Sequence, residues 1–181
     1  MRYKAVGSTV RIITPLAVLM IGWTVIGNGQ SQKQSGKALN REGPSSTGVL
    51  LLAYAEKDVI GPGEPLNLTL NTKNVSNRVR FILETSATEE YRLSVQDERG
   101  APVSQTEYGK TELRPREDHF RRFLQALKPK EESLDVIQVN RLYEMASAGT
   151  YAITAWRVVY DKNLKETGSV RSNTVKVKVT G

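Results

Sequence analysis

His119 is the one histidine of the chain, and it stands beside Asp118. A zinc site takes several ligands from histidine, cysteine and carboxylates, and no His-Glu-x-x-His sequence is present. The chain also has no cysteine, which excludes disulfides, thiol catalysis and thiolate-bound zinc. His119 beside Asp118 could act as a general base, but we favour the simpler interpretation that His119 is an ordinary surface residue. We expect no metal and no cofactor.

The other residue types that carry out catalysis lack the spacing that catalysis needs. No serine lies in Gly-x-Ser-x-Gly or Ser-x-x-Lys, and neither a phosphate loop nor a dinucleotide-binding sequence is present. Carboxylates come in adjacent pairs, which point to opposite faces of a strand instead of converging on a substrate. The chain is therefore predicted not to be an enzyme. The pairs are Glu89 with Glu90, Asp97 with Glu98, Glu117 with Asp118, and Glu131 with Glu132.

Six basic side chains lie within 17 residues and are interleaved with Phe120 and Phe123. Such a cluster could dock an acidic partner or anionic lipid headgroups. Lysine and arginine at a sheet edge also discourage aggregation, and we favour that charged-edge interpretation. The arginines stay candidates for a binding surface. The six are Arg114, Arg116, Arg121, Arg122, Lys128 and Lys130.

Trp156 is the better candidate for binding. If Tyr151 and Ile153 point into a core, alternation along a strand points Trp156 outward. Exposed tryptophan is enriched at binding hot spots, although a neighbouring loop could equally cover this one.

The first 29 residues have the pattern of an export signal. Three basic residues accompany an apolar run at 12–27, and glycines at positions 27 and 29 suit cleavage before Gln30. A membrane-spanning helix needs about 20 apolar residues, whereas this run is shorter and contains Pro15. We therefore prefer a cleaved signal at 1–29 to a membrane tether through residues 12–27. The predicted location is periplasmic or extracellular, or anchored in the inner membrane if cleavage fails.

The rest of the chain is only mildly basic. Three of the 26 basic residues lie in the signal segment and all 19 acidic residues follow it, which leaves a net charge of +4. Nucleic-acid binding usually shows a concentrated basic face, so no nucleic-acid partner is expected. Residues 30–48 are rich in Ser, Gln, Gly and Lys and are predicted to be a flexible linker to a domain at 49–181.

From residue 49 onward, short segments that alternate apolar and polar residues are separated by turns. This pattern, without long helical stretches, predicts an all-β fold, specifically an immunoglobulin-like antiparallel β-sandwich of about 7–9 strands. In one segment, 78–84, Val79, Phe81 and Leu83 fall on one face. The predicted strand regions are 49–58, 66–74, 78–84, a hairpin at 91–108, 133–139 and 172–180.

Residues 116–132 fit two structures. Phe120, Phe123, Leu124 and Leu127 have helical spacing, but the same residues suit an irregular strand that runs into the Lys-Pro-Lys turn. We favour the strand slightly, because a sandwich needs one here.

The stretch "ASAGTYAITA" has the form of a tyrosine corner. In immunoglobulin-like sandwiches a tyrosine at the start of the sixth strand bonds back to the upstream backbone and fixes the crossover between the sheets. Gly149, Tyr151 and Ile153 take the structural positions of this corner. The preceding "VNRLYEM" suggests the single helical turn that often crosses between sheets.

A family resemblance covers about 50 residues. "LKPKEESLDVIQVNRLYEMASAGTYAITAWR" followed by "SNTVKVKV" resembles secreted bacterial proteins with immunoglobulin-like domains. It is similar in outline to the bacterial intracellular proteinase inhibitor domain and to the β-sandwich region of deuterolysin-type metallopeptidases. The family form has Pro-Gly-Glu where this chain has Pro129-Lys130-Glu131. The resemblance implies shared structural motifs and no functional residues.

These observations predict an exported, non-catalytic binding or accessory module of the bacterial cell envelope. Its partner would be another envelope or extracellular protein, recognised through end loops or the face that bears Trp156. The alternative is a protease inhibitor that presents residues 107–118 as an exposed, extended loop.

Overall fold

The computed structural model describes residues 47–114 and 123–181. These residues form ten strands and three short helices. The helices are α1 (Ala87–Glu90), α2 (Glu107–Glu112) and α3 (Val139–Leu142). The strands are β1 (Val49–Ala55), β2 (Val59–Ile60), β3 (Asn67–Asn74), β4 (Arg80–Glu84), β5 (Tyr91–Gln96), β6 (Phe123–Leu127), β7 (Glu132–Gln138), β8 (Gly149–Tyr160), β9 (Glu166–Arg171) and β10 (Val175–Val179).

The strands form two sheets, one of three strands and one of seven. The smaller sheet has the antiparallel order β1-β3-β7. In the larger sheet, β8 is central: β9 and β10 pair along one of its edges, and β4 and β5 pair along the other. Strand β6 extends this sheet beyond β4, and β2 runs parallel to β10. The two sheets form the immunoglobulin-like β-sandwich that the sequence predicts.

Alternation of apolar residues explains why these segments pack face to face. In β3 every second residue is buried, and β10 buries Val175, Val177 and Val179 between exposed lysines. Residues two apart on a strand share a face, so this pattern gives each sheet one apolar side. The core consists of those sides, with Leu51, Leu68 and Leu70 from the smaller sheet facing Ile153 and Val177 from the larger one.

The predicted face of β4 is wrong. Ile82 is fully buried, whereas Phe81 and Leu83 are half-buried on the opposite side and Val79 is exposed before the strand begins. Three consecutive apolar residues, Phe-Ile-Leu, give no alternation from which to choose a face. The pairing of β4 with β6 and with Tyr160 of β8 decides it.

The predicted hairpin at 91–108 is also only half correct. Strand β5 and the turn at 97–100 are present, and the Asp97 carboxylate accepts hydrogen bonds from the backbone N–H groups of Arg99 and Ala101. The second strand is reduced to a single bridge between Gln96 and Pro102. The N–H of Val103 still donates to the Val95 carbonyl, but the chain then leaves β5, because Gln105 bridges to Tyr143 and the Ser104 carbonyl accepts from the N–H of Glu144.

Two other ambiguous segments take the predicted form where the structure describes them. Residues 123–127 form strand β6, and residues 139–142 form the single helical turn that leads from β7 in one sheet toward β8 in the other. Residues 115–122, with Phe120, lie outside the described residues.

Thr47, which belongs to the predicted linker, is buried and accepts a hydrogen bond from the N–H of Val49, the first residue of β1. The predicted signal at 1–29 and most of the linker at 30–48 lie outside the described residues. In the two ranges that the structure covers, no helix is both long and apolar enough to cross a bilayer.

Candidate functional site

Tyr151 forms the predicted corner. Its hydroxyl donates a hydrogen bond to the backbone carbonyl of Ser147, 2.8 Å away, and its ring is buried. Gly149 begins strand β8, and Ile153 is fully buried two residues after Tyr151. These residues fix the entry of β8 into the larger sheet and are structural.

The inward face of β8 continues from Tyr151 to a charged residue, Arg157. Its side chain is 2% exposed, and it lies between the two sheets at one side of the core. Thr72 of β3 and Asp135 of β7 approach it from the smaller sheet, and Tyr91 and Glu90 approach it from the larger sheet and from α1. Arg157 and these four partners are called the Arg157 cluster below.

The guanidinium of Arg157 donates hydrogen bonds on both sides. Its Nη1 donates to the Thr72 hydroxyl at 3.0 Å, to the Tyr91 hydroxyl and to the Asp135 carboxylate at 3.3 Å. Its Nη2 donates to the Leu83 carbonyl at 2.9 Å and to the Glu90 carboxylate. Among the described residues, Nε has no partner. Four of the five N–H donors of arginine are on the two Nη atoms, so most of its hydrogen-bonding capacity is used here.

The tyrosine of the cluster links its remaining members. The Tyr91 hydroxyl donates to the Asp135 carboxylate at 2.8 Å and lies 3.0 Å from the Thr72 hydroxyl. The Arg157 guanidinium also lies 4.6 Å from the centroid of the Tyr91 ring, a cation–π distance. The result is one connected polar network across the two sheets.

Burial is the largest influence on the pKa values of Glu90 and Tyr91 in this cluster. Removal of the carboxyl from water raises the pKa of Glu90 to about 7, although the Arg157 charge and the N–H of Thr85 act in the opposite direction. Burial also raises the pKa of the Tyr91 hydroxyl far above its ordinary value.

A carboxyl with a pKa near 7 suits acid–base chemistry, but here it has no route to a substrate. The Glu90 side chain is 5% exposed, and both of its oxygens accept hydrogen bonds, from Thr85 and from Arg157. The Arg157 cluster therefore acts as a structural link between the sheets. The sequence carries one signal of it: in "YAITAWRVV", an arginine stands where alternation demands an inward residue.

An open groove of about 700 Å³ lies at the edge of the sandwich. It lies between α1, α2, α3, β6 and the end of β7. Its apolar lining includes Tyr108, Phe123, Val136 and Leu142, and its polar lining includes Gln138. The groove is open to solvent, unlike the Arg157 cluster.

The predicted extended loop at 107–118 is wrong where the structure describes it. Residues 107–112 form helix α2, whose first turn is capped by the Thr106 hydroxyl, which accepts a hydrogen bond from the N–H of Gly109. A Cβ on Gly109 would lie 2.0 Å from the Leu142 carbonyl oxygen, so α2 is pressed against α3. A helix held in this way cannot enter a protease cleft in extended form. Residues 115–118 lie outside the described residues.

Trp156 points outward from β8, opposite to Tyr151 and Ile153, and is half-buried. It pairs with Arg92 on one side and with Arg171 on the other, and the Arg171 guanidinium lies 5.4 Å from its ring centroid. Its role as an anchor stays a prediction.

The predicted basic cluster is only partly described. Arg114 is exposed just after α2, while Arg116, Arg121, Arg122 and His119 lie outside the described residues. In the described ranges, no group of three or more histidine, cysteine, aspartate or glutamate residues is arranged to hold a metal ion.

Comparison with known proteins gives structural likeness only. No family model matches the chain, and no curated protein matches it either. Solved structures with similar folds include the CARDB domain of a Pyrococcus furiosus protein in complex with di-metal ions, at 16% identity and a TM-score of 0.38. That match covers 73% of this chain and 87% of the CARDB domain.

Two further solved structures resemble this chain, with similarly low identity and TM-score. A Listeria innocua β-glucosidase matches with 14% identity and a TM-score of 0.39, over 74% of this chain but 16% of the enzyme. The PapD-like domain 7 of human CEP192 matches with 17% identity and a TM-score of 0.29, over 77% of this chain and 94% of that domain. At these TM-scores the likenesses carry no functional argument. The strand order and pairing of this chain themselves define its fold as an immunoglobulin-like β-sandwich.

Proposed function

We propose that the protein is an exported, non-catalytic binding module of the bacterial cell envelope, which takes up an extended segment of a partner protein along strand β7. One observation carries the proposal: β7 is a regular edge strand with two large apolar side chains exposed to solvent.

The edge is regular over its full length. All seven residues of β7 pair in unbroken register with β3, and within the described residues β7 has no second strand neighbour. Proteins protect such an edge with charged residues, proline, a bulge, or a covering helix or loop. Strand β7, "ESLDVIQ", has neither lysine nor proline, and its ladder has no bulge; its charged residues are Glu132 and Asp135, and Asp135 points inward to Arg157.

The outward face of the same strand is apolar. Leu134 is 65% exposed and Val136 is 60% exposed, while Ile137 between the sheets is buried. When a peptide adds a strand to a sheet edge, main-chain hydrogen bonds give affinity and alternate side chains give specificity. Apolar side chains at alternate positions of such a segment would cover Leu134 and Val136.

The opposite edge of the smaller sheet is bridged at its middle. The Asn173 side chain accepts a hydrogen bond from the Ala53 N–H and donates one to the Ala53 carbonyl, both at 2.9 Å. At Ala53 the amide thus uses the backbone groups that an added strand would need. This contrast supports β7 as the docking edge.

Export and absence of catalysis rest on other observations. The apolar run at 12–27 with its small residues supports an export signal. The closed Arg157 cluster supports a non-catalytic role, because Glu90, a carboxyl whose pKa is raised, is sealed from solvent.

A photo-crosslinking amino acid placed in the full-length chain in its native host tests the docking edge. Substitution at position 134 or 136 is expected to give a defined adduct with one other protein. The control is position 164 in the β8–β9 turn, where Leu164 is also exposed. Adding Val136→Lys to the position-134 probe should abolish the adduct, because lysine on an edge opposes strand addition.

Three results would contradict the proposal. Adducts of equal yield from position 164 would mean non-specific contact, and an adduct of twice the chain mass would mean self-association. An unchanged adduct with Val136→Lys would exclude pairing along β7. Separately, the exported product should begin at or near Gln30, and recovery only from the cytoplasm would overturn the envelope location.

A further inference from the structure

The outward face of the larger sheet carries four exposed cations. Arg92 lies on β5, Arg171 on β9, and Lys176 and Lys178 on β10. Within the described residues, none of the four forms an ion pair with a carboxylate. These four residues, together with Trp156 between them on β8, are called the basic face.

The same face has one acidic residue on its strands, Glu166, which pairs with Tyr160 at the far end of β9. Register places the outward residues of β5, β8, β9 and β10 beside one another, and seven of those near the basic face are uncharged. They are Ser94, Gln96, Thr150, Ala152, Thr154, Val158 and Ser169. A field of one sign therefore extends from the row of Trp156 to Lys178, and Glu166 limits it at the other end of β9.

The charges are spread out and do not converge. Arg92, Trp156 and Arg171 share one row across the strands, whereas Lys178 pairs with Thr150, six residues earlier on β8. At about 3.4 Å per residue, the rows are about 20 Å apart. None of these residues lines the 700 Å³ groove or the smaller depression beside Tyr151. The arrangement suits an extended anionic surface and gives no pocket for a small anion.

Two apolar groups lie on the basic face or beside it. Trp156 presents its half-buried ring between two arginines, and Val59 of β2 pairs with Lys178 and is 53% exposed. Tryptophan is enriched at membrane–water interfaces because its ring is apolar and its N–H is polar. Cations with interfacial apolar groups favour a bilayer over a nucleic acid as the anionic partner.

We infer that the basic face rests on a bilayer surface that contains anionic lipids. Each basic residue near such a surface strengthens binding about fivefold, so four give an effect on the order of 500-fold. This attraction is screened by salt. It is a second contact, on the opposite sheet from β7, so the protein could lie on a membrane while β7 takes up its partner.

Sedimentation of the full-length protein with phosphatidylcholine vesicles, with and without phosphatidylglycerol, tests this inference. Each variant gives one partition coefficient with phosphatidylglycerol and one without it. Their ratio measures the charge-dependent part of binding, because the N-terminal segment is the same in every variant. Lys176→Gln with Lys178→Gln should lower the ratio by about 25-fold. The matched control is Lys162→Gln with Lys165→Gln, two exposed lysines in the β8–β9 turn, which should leave it unchanged.

Fluorescence gives an independent measurement. The chain has two tryptophans, so Trp23→Phe leaves Trp156 as the sole reporter. Its emission should shift to shorter wavelength with phosphatidylglycerol vesicles and not with phosphatidylcholine alone. Equal binding by the Lys176/Lys178 variant, absence of the shift, or tighter binding to duplex DNA at the same salt would each overturn the inference. None of these outcomes bears on β7, so the two proposals fail independently.

Discussion

The guanidinium of Arg157 and the carboxylate of Asp135 lie 3.3 Å apart and join β8 and β7, strands of opposite sheets. Thr72 of β3 adds a second bond across the same interface, at 3.0 Å. Buried ion pairs add little net stability compared with a well-packed apolar core, but removal of one partner is costly because the other charge stays buried. The Arg157 cluster is therefore the point where a single substitution should do most damage.

Arg157→Met should destabilise the protein by about 3–5 kcal/mol. Methionine keeps much of the side-chain volume but leaves Glu90 and Asp135 without their cation. Urea unfolding followed by circular dichroism measures the loss. Arg171→Met on the exposed face is the control and should change stability by less than about 0.5 kcal/mol. Equal losses in the two variants would show that the cluster does not link the sheets.

Stability should fall as the pH rises toward neutrality. The folded state holds the pKa of Glu90 at about 7, above its ordinary value of 4.5, so the folded state binds this proton more tightly than the unfolded chain. The contribution of this carboxyl is complete below pH 4.5 and is lost as the pH rises to about 7. Between about pH 5 and 8, the wild-type protein should lose about 2 kcal/mol relative to Glu90→Gln.

The control for that pH profile is Glu166→Gln, an exposed residue outside the Arg157 cluster, which should follow the wild type. Urea unfolding at intervals of one pH unit provides the measurement. A constant difference between wild type and Glu90→Gln would mean that Arg157 keeps the carboxylate ionised throughout.

Tyr151→Phe should cost about 1–2 kcal/mol, because it leaves the Ser147 carbonyl without its hydrogen-bond donor. The ring stays in the core, so the effect isolates the hydroxyl. Tyr108→Phe removes an exposed hydroxyl that lies 3.3 Å from Glu112, and it should be nearly neutral. The midpoints of urea unfolding compare the two. If Tyr151→Phe left the stability unchanged, the corner hydrogen bond would not stabilise the fold.

Gly109→Ala should destabilise the protein by about 1–3 kcal/mol, as overpacking does. The new Cβ would meet the Leu142 carbonyl at 2.0 Å, so α2 must move away from α3. Gly61→Ala is the control, since its nearest neighbour would be a Glu64 carboxylate oxygen at 3.7 Å. Thermal unfolding is the measurement. If both variants melt with the wild type, α2 does not pack closely on α3, and the extended-loop interpretation of 107–118 regains support.

The sequence alone determined the class of fold and its corner. Strict alternation in 66–74 and 172–180 reports strands with one buried side, because the side-chain period of a strand is two. Gly149, Tyr151 and Ile153 could be placed because a corner is local: its hydrogen bond spans four residues. The same holds for the helical turn at 139–142 and for the outward direction of Trp156.

Only the tertiary structure decided how distant segments meet. Ile82 faces the core because of the strands beside β4, and "RFILE" has no alternation that would show it. The partners of Arg157 lie 85, 67, 66 and 22 residues away, so no local pattern could assemble them. The position of β7 at a sheet edge and the basic face follow from strand order and register. Those properties arise from long-range pairing, in which contacts far apart in sequence are chosen together by packing of the whole core.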